Sequence, residues 1–187
     1  MDRPWKELHS STKTVWITQP NEMHAVLKRA ETAFQVAKGK YVESGGNLEL
    51  VMQTAEAFGR GLFTQLIGEK PKDWTLKEWL ETITRDIFNP LGTGATITHL
   101  TSRQAKSIVF RSLLQEKSDD LELSSLFTYG FMRGMLKSAF PKGEVIMEST
   151  MAQGAPVSEF IFKTNATVEE RWERERVKTF FATTMKM

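Results

Sequence analysis

Apolar residues return every three or four positions through the first half of the chain. After Asn21 they fall at Met23, Val26, Leu27, Ala30, Ala33, Phe34 and Ala37. A single stripe at a period near 3.6 marks a helix with one face in a core. Asn21 is placed to cap it, because its side-chain oxygen can accept from a first-turn amide that has no carbonyl partner. Gly45-Gly46 breaks the pattern, and Asn47 can cap a second, longer helix carrying Leu48, Val51, Met52, Ala55, Phe58, Gly59, Leu62 and Leu66. Lys70-Pro71-Lys72-Asp73 interrupts again. Thr75 and Glu78 then form a capping-box pattern, each side chain bonding the other's backbone amide. The third helix turns Trp79, Leu80, Ile83, Ile87 and Phe88 inward, and Pro90-Leu91-Gly92-Thr93-Gly94 ends it.

From Ala95 the period changes. Ala95 to Leu100 and Lys106 to Leu113 are rich in Thr, Ile, Val and Phe and predict two strands joined through Thr101-Ser102-Arg103. Leu121 to Phe140 returns to helical spacing, apolar on most sides (Leu123, Leu126, Phe127, Phe131, Met132, Met135, Leu136), which predicts a sandwiched helix. Pro141-Lys142-Gly143 stops it. Glu144 to Met151 and Val157 to Lys163 alternate as a hairpin about Gly154-Ala155-Pro156. A last helix opens with a second capping box, Thr167 and Glu170, and carries Trp172, Val177, Phe180 and Phe181, with Glu170 and Arg174 a favourable i,i+4 pair. An N-terminal arm over residues 1–19 is anchored by Trp5, Val15, Trp16 and Ile17.

The fold class expected is therefore α+β, helices packed on an antiparallel four-stranded sheet in the order α-α-α-β-β-α-β-β-α. The 187 residues suit a single domain, 1–187. Within it, 1–45 form the arm and first helix, 46–163 the core and 164–187 the C-terminal helix.

Charge is close to balance, with 25 Lys and Arg against 23 Asp and Glu. No basic run or basic-aromatic alternation appears, which argues against a nucleic-acid partner. The absence of cysteine excludes disulfides, thiolate-bound metal and thiol nucleophiles. No apolar run approaches the roughly 18–20 residues that span a bilayer, and Met1-Asp2-Arg3-Pro4-Trp5-Lys6 opens with charge and lacks the apolar stretch expected of a signal peptide. Asn165-Ala166-Thr167 reads as a helix cap rather than a glycosylation acceptor. A cytoplasmic location is the expectation.

Three stretches carry a family resemblance. They are Phe127-Thr128-Tyr129-Gly130-Phe131-Met132-Arg133-Gly134-Met135-Leu136, Gly143-Glu144-Val145-Ile146-Met147-Glu148 and Gly154-Ala155-Pro156-Val157-Ser158-Glu159-Phe160. A helix with two glycines four apart, a glycine turn into a strand ending near an acid, and a Gly-x-Pro turn into a strand ending in Phe resemble the 4-vinyl reductase domain family. Through it the chain is similar to the wider fold of the vesicle-tethering TRAPP subunits. Gly59-Arg60-Gly61-Leu62 and Leu91-Gly92-Thr93-Gly94 extend the match over roughly residues 50–163. Many of these relatives carry cysteines around the final hairpin, which bind zinc in some sensor domains. Thr150 and Ser158 stand at those places, and hydroxyls are poor zinc ligands, so no metal is expected.

The resemblance implies an apolar pocket for a hydrophobic or aromatic ligand, tetrapyrrole-like among the options, and a homodimer formed through the helical layer. The candidate ligand-binding residues are Tyr129, Gly130, Phe131, Arg133, Gly134, His99 and Glu148. Gly130 and Gly134 share a helix face and each costs about 1 kcal/mol against alanine, which points to a close approach by core, sheet or ligand. Tyr129 and Arg133 offer a hydroxyl and a guanidinium to a carboxylate, or stand at the rim of a dimer contact. His99 ends a strand and serves as a ligand contact or a structural residue. Glu148 faces either inward, needing Arg133 or Arg60 as partner, or outward to solvent. Nine methionines suit an adaptable pocket or an ordinary core. No nucleophile elbow, phosphate loop or His-Glu-x-x-His appears, so no catalytic residue is named and no cofactor is required. An enzyme or assembly factor of tetrapyrrole metabolism and a pure interaction module are the rival readings.

Overall fold

The computed structural model describes residues 20–68, 74–111, 113–114 and 120–164. The N-terminal arm, the Lys70–Asp73 breaker and the C-terminal helix with its capping box lie outside the described residues. Within them run α1 (Pro20–Glu43), α2 (Leu48–Ile67) and α3 (Leu76–Ile83), which continues into a π-helical turn (Thr84–Phe88). Then follow β1 (Ala95–Leu100), β2 (Gln104–Val109), α4 (Leu121–Ala139), β3 (Glu144–Ser149) and β4 (Ser158–Lys163). The α+β class and the element order agree with the sequence pattern.

Local chemistry places most of the boundaries. α1 begins at Pro20, one residue ahead of Asn21, because a fixed φ and a missing N–H suit proline to the first helical position. Asn47 accepts from the Glu49 amide at 3.0 Å and opens α2. The Thr75–Glu78 capping box forms in full at the start of α3. β2 starts and stops earlier than Lys106 to Leu113, since Thr101 bonds the Gln104 amide and carbonyl and so fixes the turn. β3 stops at Ser149 because the Thr150 hydroxyl accepts from the Ala152 amide and starts a 3-10 turn. The π turn widens the end of α3 enough to bury both Ile87 and Phe88.

The strands pair in the order β1-β2-β4-β3, every pair antiparallel, so two hairpins meet along β2 and β4. Two rows cross the inner face, Ala105–Phe162–Val145 and Ser107–Phe160–Met147, all buried. The next row, Lys106–Ile161–Ile146, belongs to the outer face. α4 lies between the sheet and α2, buried from Leu123 to Leu136. Toward β3, the Tyr129 hydroxyl donates to the Val145 carbonyl at 3.1 Å. From α3, the Trp79 indole donates to the Met135 carbonyl at 3.3 Å and meets Phe162 edge-on at 5.3 Å. Each large apolar side chain so buried contributes roughly 1.5–3 kcal/mol.

Candidate functional site

The glycine face of α4 turns toward α2. A Cβ built on Gly134 would collide with the backbone of Glu56, and one on Gly130 would come within 2.8 Å of the Met52 carbonyl oxygen. The contact is reciprocal, for a Cβ on Gly59 of α2 would strike the Phe131 carbonyl. These three glycines let two helix backbones touch along a seam. The close approach anticipated from Gly130 and Gly134 is therefore helix to helix, and the sheet lies on the other side of α4.

At the flank of that seam stands Glu56. Its Oε1 accepts from Arg60 at 2.6 Å and lies 3.6 Å from Lys137 Nζ, while its Oε2 lies 3.3 Å from Arg133 Nε. Burial pushes the Glu56 carboxyl up, but the Arg60 hydrogen bond and the charges of Arg133, Lys137 and Arg60 outweigh it and hold the group below its ordinary value. Arg133 is only 8% exposed, and no acceptor lies in line with its buried Nε–H. Among the sequence candidates, Gly130, Phe131, Arg133 and Gly134 thus gather at the seam. Tyr129 lies one residue from Gly130 but faces β3.

His99 and Glu148 are elsewhere. His99 is exposed on the edge strand β1, beside a register shift between Ile97 and His99. Glu148 is outward on β3, with Lys106 as its partner at 2.7 Å rather than Arg133 or Arg60. Lys106 also reaches Glu159 at 3.4 Å, and the hydrogen bond it donates to Glu148 leads in raising its pKa. Thr150 and Ser158 are buried and spend their hydroxyls on the hairpin itself, accepting from Ala152 N at 2.9 Å and Met151 N at 3.2 Å. Among the described residues no cluster of three or more His, Cys, Asp or Glu could hold a metal.

Glu56 and Lys137 escape the sequence reading. Glu56 and Arg60 stand four apart on one helix, a spacing that favours an ion pair, so that half of the cluster carried a local signal. The link to Arg133 and Lys137, some eighty positions away, carried none.

Above the sheet the interior is aromatic. Phe34 meets Phe127 edge-on at 5.5 Å, Phe58 stacks on Phe131 at 5.7 Å and Phe88 approaches Phe131 at 6.4 Å. Met52, Met132, Met135 and Met147 are buried in the same core. No family model and no curated protein sequence matches the chain. Among solved structures, a trafficking protein particle complex subunit 3 from Naegleria fowleri, covalently bound to palmitic acid, is similar. The TM-score is 0.56 at 12% identity, over 76% of this chain and 96% of that one. The chain has a TRAPP-subunit-like fold. At that identity the likeness establishes architecture alone, and it agrees with the wider fold implied by the glycine motifs. No described helix is long and apolar enough to cross a membrane.

Proposed function

We propose that the chain is a binding module that takes a hydrophobic small molecule, a fatty acyl chain foremost, into the apolar layer between α4 and the sheet. The observation that carries this reading is the likeness to a TRAPP-type subunit holding palmitic acid, over an interior rich in phenylalanine and adaptable methionine. With no cysteine in the chain, a thioester link is closed to it, so the acyl chain is held by burial rather than by a thiol bond. The narrower 4-vinyl reductase resemblance belongs to this reading and rests on the glycine motifs.

A ligand bound only by the folded state stabilises it by about 2.7 kcal/mol at one hundred times its dissociation constant. Native mass spectrometry of freshly purified protein tests the proposal. A retained apolar mass, or a melting temperature rising with fatty-acid length after delipidation, is expected. Clean protein with no shift across the series defeats it.

A second reading, a subunit-contact module acting as a homodimer or within a complex, draws on Val36 and Val42, 48% and 68% exposed on α1. Sedimentation across concentration, with Val36→Glu as the variant, separates dimer from monomer.

A further inference from the structure

The outer face of the sheet is unevenly exposed along its edge strand β3. Val145 and Met147 point into the core, so Glu144 and Ile146 belong to the opposite face. Glu148, outward on the same strand, has a side chain 38% exposed. Ile146, two positions earlier, is only 9% exposed and Glu144 only 3%. Ile146 is nevertheless no part of the hydrophobic core cluster, and neither are Ile161, which it faces across the pairing, and Ile108. Among the described residues no helix lies on that face. α4 fills the inner side, and α3 reaches the sheet there too, through Trp79 against Phe162. An outward isoleucine on an edge strand has a neighbouring strand on one side only, so burial this deep requires a cover from above the face.

The covered end is the one at which β4 leaves the sheet. Glu144 pairs with Lys163 and Ile146 with Ile161. The Thr164 amide still donates to the Arg103 carbonyl at 3.1 Å, so residue 165 begins beside the buried pair. The other stretches outside the described residues start elsewhere. Residues 115–119 follow β2, whose last residue Val109 pairs with Ser158 at the opposite end. Residues 69–73 join α2 to α3 on the helical side, and residues 1–19 lead into α1, whose main partner is α2. Residues 165–187 carry the Thr167 and Glu170 capping pattern, with Trp172 two residues further on. Some twenty residues of helix reach about 30 Å, against about 20 Å for a six-residue strand. The segment is long enough to cross the sheet.

We propose that the outer face over Ile146 and Ile161 is a docking surface for residues 165–187 of the same chain, which return across it as a helix with Trp172 seated on the two isoleucines. Burial of a large aromatic ring against branched apolar side chains drives the contact. A segment tethered at the covered spot has a far higher effective concentration there than any free partner. The helix leaves the Glu148 end open, where Lys106, Glu148 and Glu159 meet water. This face lies on the other side of the sheet from the apolar interior, so the proposal does not depend on the acyl-chain reading.

Because the chain has no cysteine, single thiols report on this face without background. In the full chain, Ile146→Cys is expected to react with a water-soluble maleimide at least about tenfold more slowly than Glu148→Cys. Adding Trp172→Asp is expected to speed the Ile146→Cys reaction by about tenfold, the scale of one lost buried aromatic contact. Ala105→Cys, on the inner face, should stay unreactive in the same background and so show that the sheet is intact. If Trp172→Asp opens Ala105→Cys as well, the double variant Ile146→Cys/Trp172→Cys decides with a short bis-maleimide: a cross-link within one chain supports the proposal, and cross-linked dimers or two separately labelled thiols overturn it. It is also overturned if Ile146→Cys reacts as fast as Glu148→Cys, or if Trp172→Asp leaves its rate unchanged with Ala105→Cys protected. Protection that grows with protein concentration would make a second copy the cover, and release by Trp5→Asp or Trp16→Asp instead would make it the N-terminal arm; either result overturns it too.

Discussion

Glu56 at the helical seam and Lys106 on the outer sheet face each gather opposite charges around one ion, but in different surroundings. Glu56 is 14% exposed and its neighbour Arg133 10%, so their fields are little screened. Lys106, Glu148 and Glu159 are each about a third exposed, and water weakens their attraction. The first cluster is fixed by glycines that press helix backbones together, whereas the second hangs on flexible side chains above a pleated surface. The same chemistry is therefore structural at the seam and ornamental on the sheet.

The seam is easiest to break at its glycines. Gly134→Ala places a methyl group into the backbone of Glu56, and neither helix can yield without opening the core. A loss of about 3 kcal/mol or more is expected, read from the urea midpoint; a midpoint within experimental scatter of the parent would contradict the seam.

Glu56→Gln comes next. It leaves Arg133 buried without its counter-charge, and a destabilisation of about 2–3 kcal/mol is expected. The pH profile sharpens the same point. Because the folded pKa of Glu56 is depressed below 4.5, its contribution is fully present above that ordinary value and disappears as pH falls through the folded one. Stability of the parent should drop more steeply than that of Glu56→Gln across the acid side of pH 4.5; parallel curves would remove Glu56 from the account.

Gly61→Ala should act in the opposite direction. Gly61 is exposed within α2 and a Cβ there meets nothing within 4 Å, so alanine is expected to stabilise by about 1 kcal/mol. The contrast with Gly59, two residues earlier, separates a glycine needed for contact from one that is not.

Lys106→Met is the smallest. A slight loss at low salt should vanish near 1 M salt, where the screening length is about 3 Å. A loss that persists there would show the outer cluster to be as sheltered as the seam.

Much of the fold was legible in the sequence. The stripe from Leu48 to Leu66, the Thr75–Glu78 capping box and the alternation on either side of Gly154 are local signals, and local rules placed their elements. Within the candidate site, Gly130, Gly134 and Arg133 were singled out from one helix, while their partners Glu56 and Gly59 were not joined to them. Glu148 was left open between inward and outward, because β-strand alternation fixes the two faces of a strand but not which one meets the core.

The sequence by itself determined the succession of helices and strands, the caps and the closure of thiol chemistry, since each depends on residues within a few positions of one another or on composition. Only the tertiary structure decided the strand order β1-β2-β4-β3, the turning of the glycine face toward α2 and the meeting of Arg133 and Lys137 with Glu56. Those depend on which surfaces pack together once the chain has collapsed, and a pairing across some eighty residues leaves no mark in the periodicity of either helix.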